Sequence, residues 1–297
     1  MILSSLSNNN VLKSIIALIV MAPAASTYAQ GEAEPALKSY HSDGILSELM
    51  RERDSLFTLI PYETNYLLFT HANSINKESI EAYDWADNAQ KAEIKFQISI
   101  GFPIWHNDKY IVGASYTQRS WWQAFNHKES SSFRETNYEP QLFFGGLLNW
   151  QLGNWTIRDF EVGFNHQSNG RGEPTSRSWN RGYARVSAVN GNWMVDIKPW
   201  FRFNESSDKD DNPQMTKYMG YYRAKVAYRL GENVFSMNGH YNWSSGYVGA
   251  EVGWSYPITR HVRLYTQVFS GYGESMIDHD HKQKLRVGLG FMLNDLL

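Results

Sequence analysis

The stretch "YMGYYRAKVAYRL", Tyr218 to Leu230, decides how the chain is read. Tyr218, Gly220, Tyr222, Ala224, Val226, Tyr228 and Leu230 share one face of an extended backbone. Met219, Tyr221, Arg223, Lys225, Ala227 and Arg229 share the other. Successive side chains of a strand point to opposite sides, so a period of two is a strand signature. Here one side is aromatic and apolar and the other carries cations. A soluble sandwich has little use for arginine and lysine in mid-strand, or for strands this long. A membrane barrel has both, because lipid bathes the apolar face and the lumen takes the charges.

The pattern recurs. "YVGAEVGWSY" sets Val248, Ala250, Val252, Trp254 and Tyr256 against Gly249, Glu251, Gly253 and Ser255. "KLRVGLGFMLN" sets Leu285, Val287, Leu289, Phe291 and Leu293 against Arg286, Gly288, Gly290 and Asn294. Twelve such segments are expected, near 57–71, 92–105, 109–124, 139–152, 154–168, 178–188, 193–204, 216–230, 234–245, 247–256, 262–271 and 284–294. Short connections such as "RLGEN" and "YPITRH" alternate with long polar ones such as "SNGRGEPTSR" and "NESSDKDDNPQ". The expected fold is therefore all-β: a twelve-stranded antiparallel transmembrane β-barrel with short periplasmic turns and long extracellular loops. Trp121 and Trp122 are expected in the interfacial aromatic girdle. "DHDH" at 278–281 reads as a solvated turn.

Composition agrees. The 297 residues include 11 Trp, 18 Tyr and 15 Phe, carry a net charge of −2 and contain no cysteine. The charge gives no electrostatic reason to expect nucleic acid as a partner. The missing thiol excludes disulfides, zinc–thiolate sites and a cysteine nucleophile. Lys13, the run "SIIALIVMAPAA" and the small residues beyond it read as a secretory signal peptide over 1–29. The run is shorter than the ~20 residues a helical span needs. Residues 30–56 are expected as an N-terminal periplasmic segment, with one or two amphipathic turns through Ile45, Leu46, Leu49 and Met50, and 57–297 as the barrel.

"FEVGFNHQSNGRGEPTSRSWN", Phe160 to Asn180, carries the chemistry. The apolar face of Phe160, Val162 and Phe164 continues into His166 and Ser168. With both termini on the periplasmic side, this fifth strand ends at the extracellular rim. The next strand places Asn180 on the same outer face, beside Gly182, Ala184 and Val186. Antiparallel neighbours bring opposed side chains within contact range. Polar groups on a lipid-facing wall carry a cost, so the grouping asks for a purpose. A serine nucleophile, a histidine base and an orienting amide form one.

"RDFEVGFNHQSNGRGEPTSRSWNR", "FRETNYEPQLF", "NGNWMVDIKPW" and "YPITRHVRLYTQVFSGYGES" resemble the outer-membrane phospholipase A family over essentially the whole mature chain. The resemblance implies calcium-dependent hydrolysis of phospholipid acyl esters by a homodimer in the bacterial outer membrane. It assigns Ser168 as nucleophile, His166 as base and Asn180 as orienter, and places the Gly170 N–H in the oxyanion hole. It makes Arg171 (by its carbonyl), Ser176 and an acid of the 208–211 loop calcium ligands, with Asp211 the best match ahead of Asp210 and Asp208. Ser130 matches a ligand lent by the second subunit. The acidic loop is longer than the family leads one to expect, and Glu173 stands where a shorter acid is expected. Oxygen-only ligation suits calcium.

Two other functions fit parts of the pattern: a lipid A deacylase with the same outward site, or a small passive channel. Arg223, Lys225, Arg229, Glu251 and Arg286 on the lumen face suggest internal pairing rather than an open pore. In the third strand Tyr110, Val112, Ala114, Tyr116, Gln118, Ser120 and Trp122 share a face. If that face meets lipid, Gln118 needs a partner, and a second subunit's Gln118 across a two-fold axis is the expected one. A register slip by one residue would turn it into the lumen.

Overall fold

The computed structural model describes residues 44–51, 59–126, 132–206 and 210–293. The expected signal peptide, Ser130 and Asp208 lie outside them. A short helix, α1 (Ile45–Arg51), precedes the strands. The barrel strands are β1 (Tyr66–Ala72), β2 (Ala92–His106), β3 (Tyr110–Trp122) and β4 (Phe133–Leu152). They continue as β5 (Trp155–Ser168), β6 (Ser178–Asn190), β7 (Trp193–Arg202) and β8 (Tyr222–Leu230). The last are β9 (Asn233–Tyr241), β10 (Val248–Pro257), β11 (Arg263–Gly271) and β12 (Gln283–Met292). Each pairs antiparallel with its neighbours in chain order. The ring closes where β12 meets β1, with Arg286 opposite Ala72 and Met292 opposite Tyr66. Closure leaves no open edge, as spanning a bilayer requires. Among the described residues no helix is long and apolar enough to cross a membrane.

Alternation settles which face is which. Along β5, Arg158, Asp159, Glu161 and Asn165 are buried, whereas Val162 and Phe164 are exposed. The buried set is polar and the exposed set apolar, the inversion of a soluble protein expected when lipid is the outer solvent. The lumen charges pair with one another. Arg223 reaches Glu63 at 2.7 Å, Lys95 reaches Glu251 at 3.3 Å, and Arg286 bridges Glu93 at 2.7 Å and Glu274 at 2.9 Å. Helix α1 lies against the inner wall, with Leu46 and Leu49 buried beside Ile111 and Phe143. Gly145 makes room for it, since a Cβ there would come 2.7 Å from the Leu46 Cδ1.

Five local expectations are corrected. The first segment was expected from residue 57, but β1 begins at Tyr66. Ile60 and Pro61 pair with β2, and the chain then turns inward so that the Tyr62 hydroxyl donates to Glu161 at 2.6 Å and Glu63 meets Arg223 and Lys225. The eighth segment was expected from 216. Instead Met215–Met219 forms helix α2, ended at Gly220 with a φ of +66°, a value glycine adopts without penalty. Tyr218 consequently stacks on Tyr247 at 4.7 Å rather than facing lipid from a strand. Trp121 is fully buried in the lumen with the Lys95 ammonium 5.6 Å from its ring, so of the two tryptophans only Trp122 is on the outer face. The "DHDH" turn is solvated only in its second half: Asp280 is exposed, but Asp278 and His279 are buried, and Asp278 accepts from Arg134 at 2.5 Å and from Ser275 at 3.0 Å. The same Arg134 explains why β4 starts at Phe133, six residues before the expected 139. Its guanidinium is held by Glu93 at 2.8 Å as well as by Asp278.

Candidate active site

The site sits where β5 and β6 end and begin, at the end of the barrel that carries the long loops. Register places His166 opposite Asn180 and Ser168 opposite Ser178. His166 and Asn180 are half-buried and lie on the outer face, in line with Val162 and Phe164. The His166 Nδ1 is 2.8 Å from the Asn180 Oδ1. Ser168 is two residues beyond His166 on the same face of the same strand. Asn180 makes a second contact, its Nδ2 donating to the Glu205 Oε1 at 3.2 Å.

The loop that follows Ser168 is organised by Asn169. Its Oδ1 accepts from the backbone N–H of Arg177 at 2.9 Å and of Arg171 at 3.3 Å, and its Nδ2 donates to the Thr175 carbonyl at 2.8 Å. An Asn that bonds backbone on both sides substitutes for ladder hydrogen bonds and fixes a turn. Gly170 has a φ of +66°, and a Cβ there would also approach the Tyr138 ring at 3.1 Å. The Arg171 side chain folds back, donating to the Phe133 carbonyl at 2.9 Å and lying 4.6 Å over the Tyr83 ring.

The expected calcium ligands come together in part. The Ser176 hydroxyl donates to the Asp211 Oδ2 at 2.5 Å. Asp210 is engaged elsewhere: its Oδ1 accepts from Arg202 at 2.5 Å and from the Asn212 N–H at 3.0 Å. Among the described residues no group of three or more acidic, histidine or cysteine side chains gathers. Of the expected set, the Ser176 hydroxyl and the Asp211 carboxylate are the pair in contact. Gln118 lies on the outer face, not in the lumen, and its amide already has partners. The Tyr116 hydroxyl donates to it at 3.1 Å, and it donates to Ser120 at 3.2 Å.

Asn169 and Glu205 were missed in the sequence. Asn169 stood in plain view after Ser168, in an "SNG" turn that favours such side-chain bonds. Glu205 gave no periodic signal, since it follows the end of β7 at Arg202.

A closed twelve-stranded barrel with an apolar outer wall and a serine–histidine pair on that wall belongs to the class of outer-membrane β-barrel enzymes. The family model described as phospholipase A1 matches residues 45–293. The chain is 59% identical to phospholipase A1 of Klebsiella pneumoniae over 85% of its own length and 88% of the relative's. It is 54% identical to phospholipase A1 of Escherichia coli K12 over 94% of its length and 96% of the relative's. The solved outer membrane phospholipase A from Escherichia coli superposes with a TM-score of 0.83 at 56% identity, covering 86% of this chain and 99% of that one. A Salmonella typhi outer membrane phospholipase, solved as a dimer with bound calcium, superposes at 0.82 with the same identity and coverage. The chain belongs to the phospholipase A1 family. It is an esterase of the bacterial outer membrane that hydrolyses phospholipids.

Proposed function

We propose that the chain cleaves phospholipid acyl esters from the outer leaflet by a calcium-dependent Ser168–His166–Asn180 mechanism, acting as a homodimer on both diacyl and lysophospholipids. The single observation that carries this reading is the 2.8 Å contact of His166 Nδ1 with Asn180 Oδ1 on the lipid-facing wall. An acceptor at Nδ1 keeps the proton there and leaves Nε2 free to act as base. His166 takes the Ser168 proton as Oγ attacks the acyl carbonyl. It returns that proton to the leaving glycerol oxygen, and the acyl-enzyme is released by a water that His166 deprotonates in turn. The outward placement delivers the ester from the bilayer directly to Ser168. The Gly170 N–H, at a bend only glycine adopts freely, is the proposed oxyanion donor.

Calcium is supported by the paired oxygens of Ser176 and Asp211 and by the dimer with bound calcium solved for the Salmonella typhi relative. The Arg171 carbonyl completes the proposed set from this subunit, and Ser130, outside the described residues, is the proposed ligand from the other. When bound, the ion supplies positive charge beside the developing oxyanion. A passive channel is disfavoured by the internal pairing of lumen charges. The deciding experiment is release of fatty acid from phospholipid by the refolded barrel, wild type against Ser168→Ala, with calcium and with chelator. Hydrolysis by Ser168→Ala at the wild-type rate would overturn the reading.

A further inference from the structure

We propose that Glu205 is a positioning residue for the triad, locking the Asn180 amide so that its oxygen, not its nitrogen, faces His166. The inference rests on the triad reading above and extends it to a residue in the long acidic loop. Asn180 uses both ends of its amide: Oδ1 meets the His166 Nδ1 at 2.8 Å, and Nδ2 donates to the Glu205 carboxylate at 3.2 Å.

The chemistry of the two ends differs in a way that matters to a base. A carboxylate only accepts hydrogen bonds, whereas an amide donates at one end and accepts at the other. With Glu205 in place the NH2 end is committed to it, and the oxygen must face the imidazole. Nδ1 then keeps its proton and Nε2 is free. With the amide turned over, its NH2 would face Nδ1. That ring nitrogen would have to accept, the proton would move to Nε2, and the nitrogen needed to deprotonate Ser168 would be blocked. The outer wall offers few other groups to make the choice, because its neighbours are apolar. Phe164 and Phe203 face each other there with ring centres 5.8 Å apart.

The backbone holds Glu205 where this requires. Past the end of β7 the Phe203 N–H still donates to the Asn180 carbonyl at 2.9 Å, so the chain continues alongside Asn180. Two residues further, alternation returns Glu205 to the side of Phe203. The far end of the loop is tied down as well. Arg202 bonds Asp210 at 2.5 Å and the Asn212 carbonyl at 3.0 Å, and the Asn212 side chain accepts from the Ser178 N–H at 2.9 Å. Both ends of the loop are therefore anchored to β6, the strand that carries Asn180.

The test uses the full-length refolded enzyme with calcium and phospholipid in mixed micelles, with barrel formation verified by the mobility of the unheated protein on a gel. Glu205→Ala should lower kcat about tenfold with KM unchanged, the loss expected for one hydrogen bond to a charged group. On an Asn180→Ala background the same change should have no further effect. Asn180→Asp should lose activity, since it sets two carboxylates against each other. The double variant Asn180→Asp/Glu205→Gln should recover most of it, because an acceptor again faces His166 and a donor again stands behind. Recovery in the double variant is an outcome that a purely structural role for Glu205 does not produce. Wild-type kcat in Glu205→Ala, an equal loss on the Asn180→Ala background, or no recovery in the double variant would each overturn the proposal. Ser168→Ala run in parallel reports on the triad itself: its inactivity confines any failure to Glu205.

Discussion

His166 and Asn180 are directly opposed across the β5–β6 ladder and joined by a 2.8 Å contact between Nδ1 and Oδ1. The pair spans two strands, so strand register is what brings the imidazole and the amide together. Asn180→Ala should leave the serine and the base in place but the ring free to turn. Its kcat is expected to fall about 10- to 100-fold without vanishing, whereas Ser168→Ala and His166→Ala should lose ~10⁴-fold or more. Initial rates of fatty-acid release on the three variants check this. An Asn180→Ala enzyme as dead as Ser168→Ala would show that the amide does more than orient.

Chelation should stop turnover without unfolding the protein, because the barrel ladders do not depend on the ion. Asp211→Asn should raise the calcium concentration for half-maximal rate. Asp210→Asn should not, since Asp210 is occupied by Arg202. A calcium titration of activity for both variants separates them, and equal effects would refute Asp211 as the ligand.

Gln118→Cys should cross-link between subunits in the presence of calcium and a substrate analogue, free of background because the chain has no cysteine. The wild-type amide is already bonded to Tyr116 and Ser120, so a partner Gln118 would be an added contact and not the rescue of an unpaired group. Its contribution is expected at about 0.6–2 kcal/mol. Full activity with no cross-link would remove Gln118 from the dimer axis.

The Asp278–Arg134 pair, which holds the loop between β11 and β12, should resist acid. Burial pushes the Asp278 carboxyl up, but the Arg134 guanidinium more than offsets this and holds it below the usual range. A carboxylate with a lowered folded pKa contributes its full stability above the unfolded value of about 3.9 and loses it only as pH falls through the lower folded value. The Asp278 contribution to the loop's resistance to proteolysis should therefore persist down to pH about 4 and be lost below it, whereas the buried His279, held below the usual imidazole range by burial, withdraws its own contribution as pH falls through about 6.5. Asp278→Ala should destabilise the loop at neutral pH by up to about 3–5 kcal/mol, the range for breaking a buried pair. Arg134 keeps Glu93 as a partner at 2.8 Å, which favours the lower end. Equal proteolysis of wild type and Asp278→Ala at neutral pH would contradict the assignment.

What the sequence alone determined was everything that depends on a local period. Alternation located the strands, their inward and outward faces, and the placement of His166, Ser168 and Asn180 on one wall. Those features need only the pleat and the pairing of consecutive strands. What the tertiary structure decided were the breaks in that period. Glu63 turns inward to Arg223, 160 residues away, and Asp278 is drawn down by Arg134, 144 residues away. Met215–Met219 coils into a helix that brings Tyr218 against Tyr247, and Glu205 comes to rest on Asn180 after its strand has ended. A buried charge or an orienting carboxylate takes whichever partner barrel closure brings within reach, and no window of neighbouring residues contains that partner.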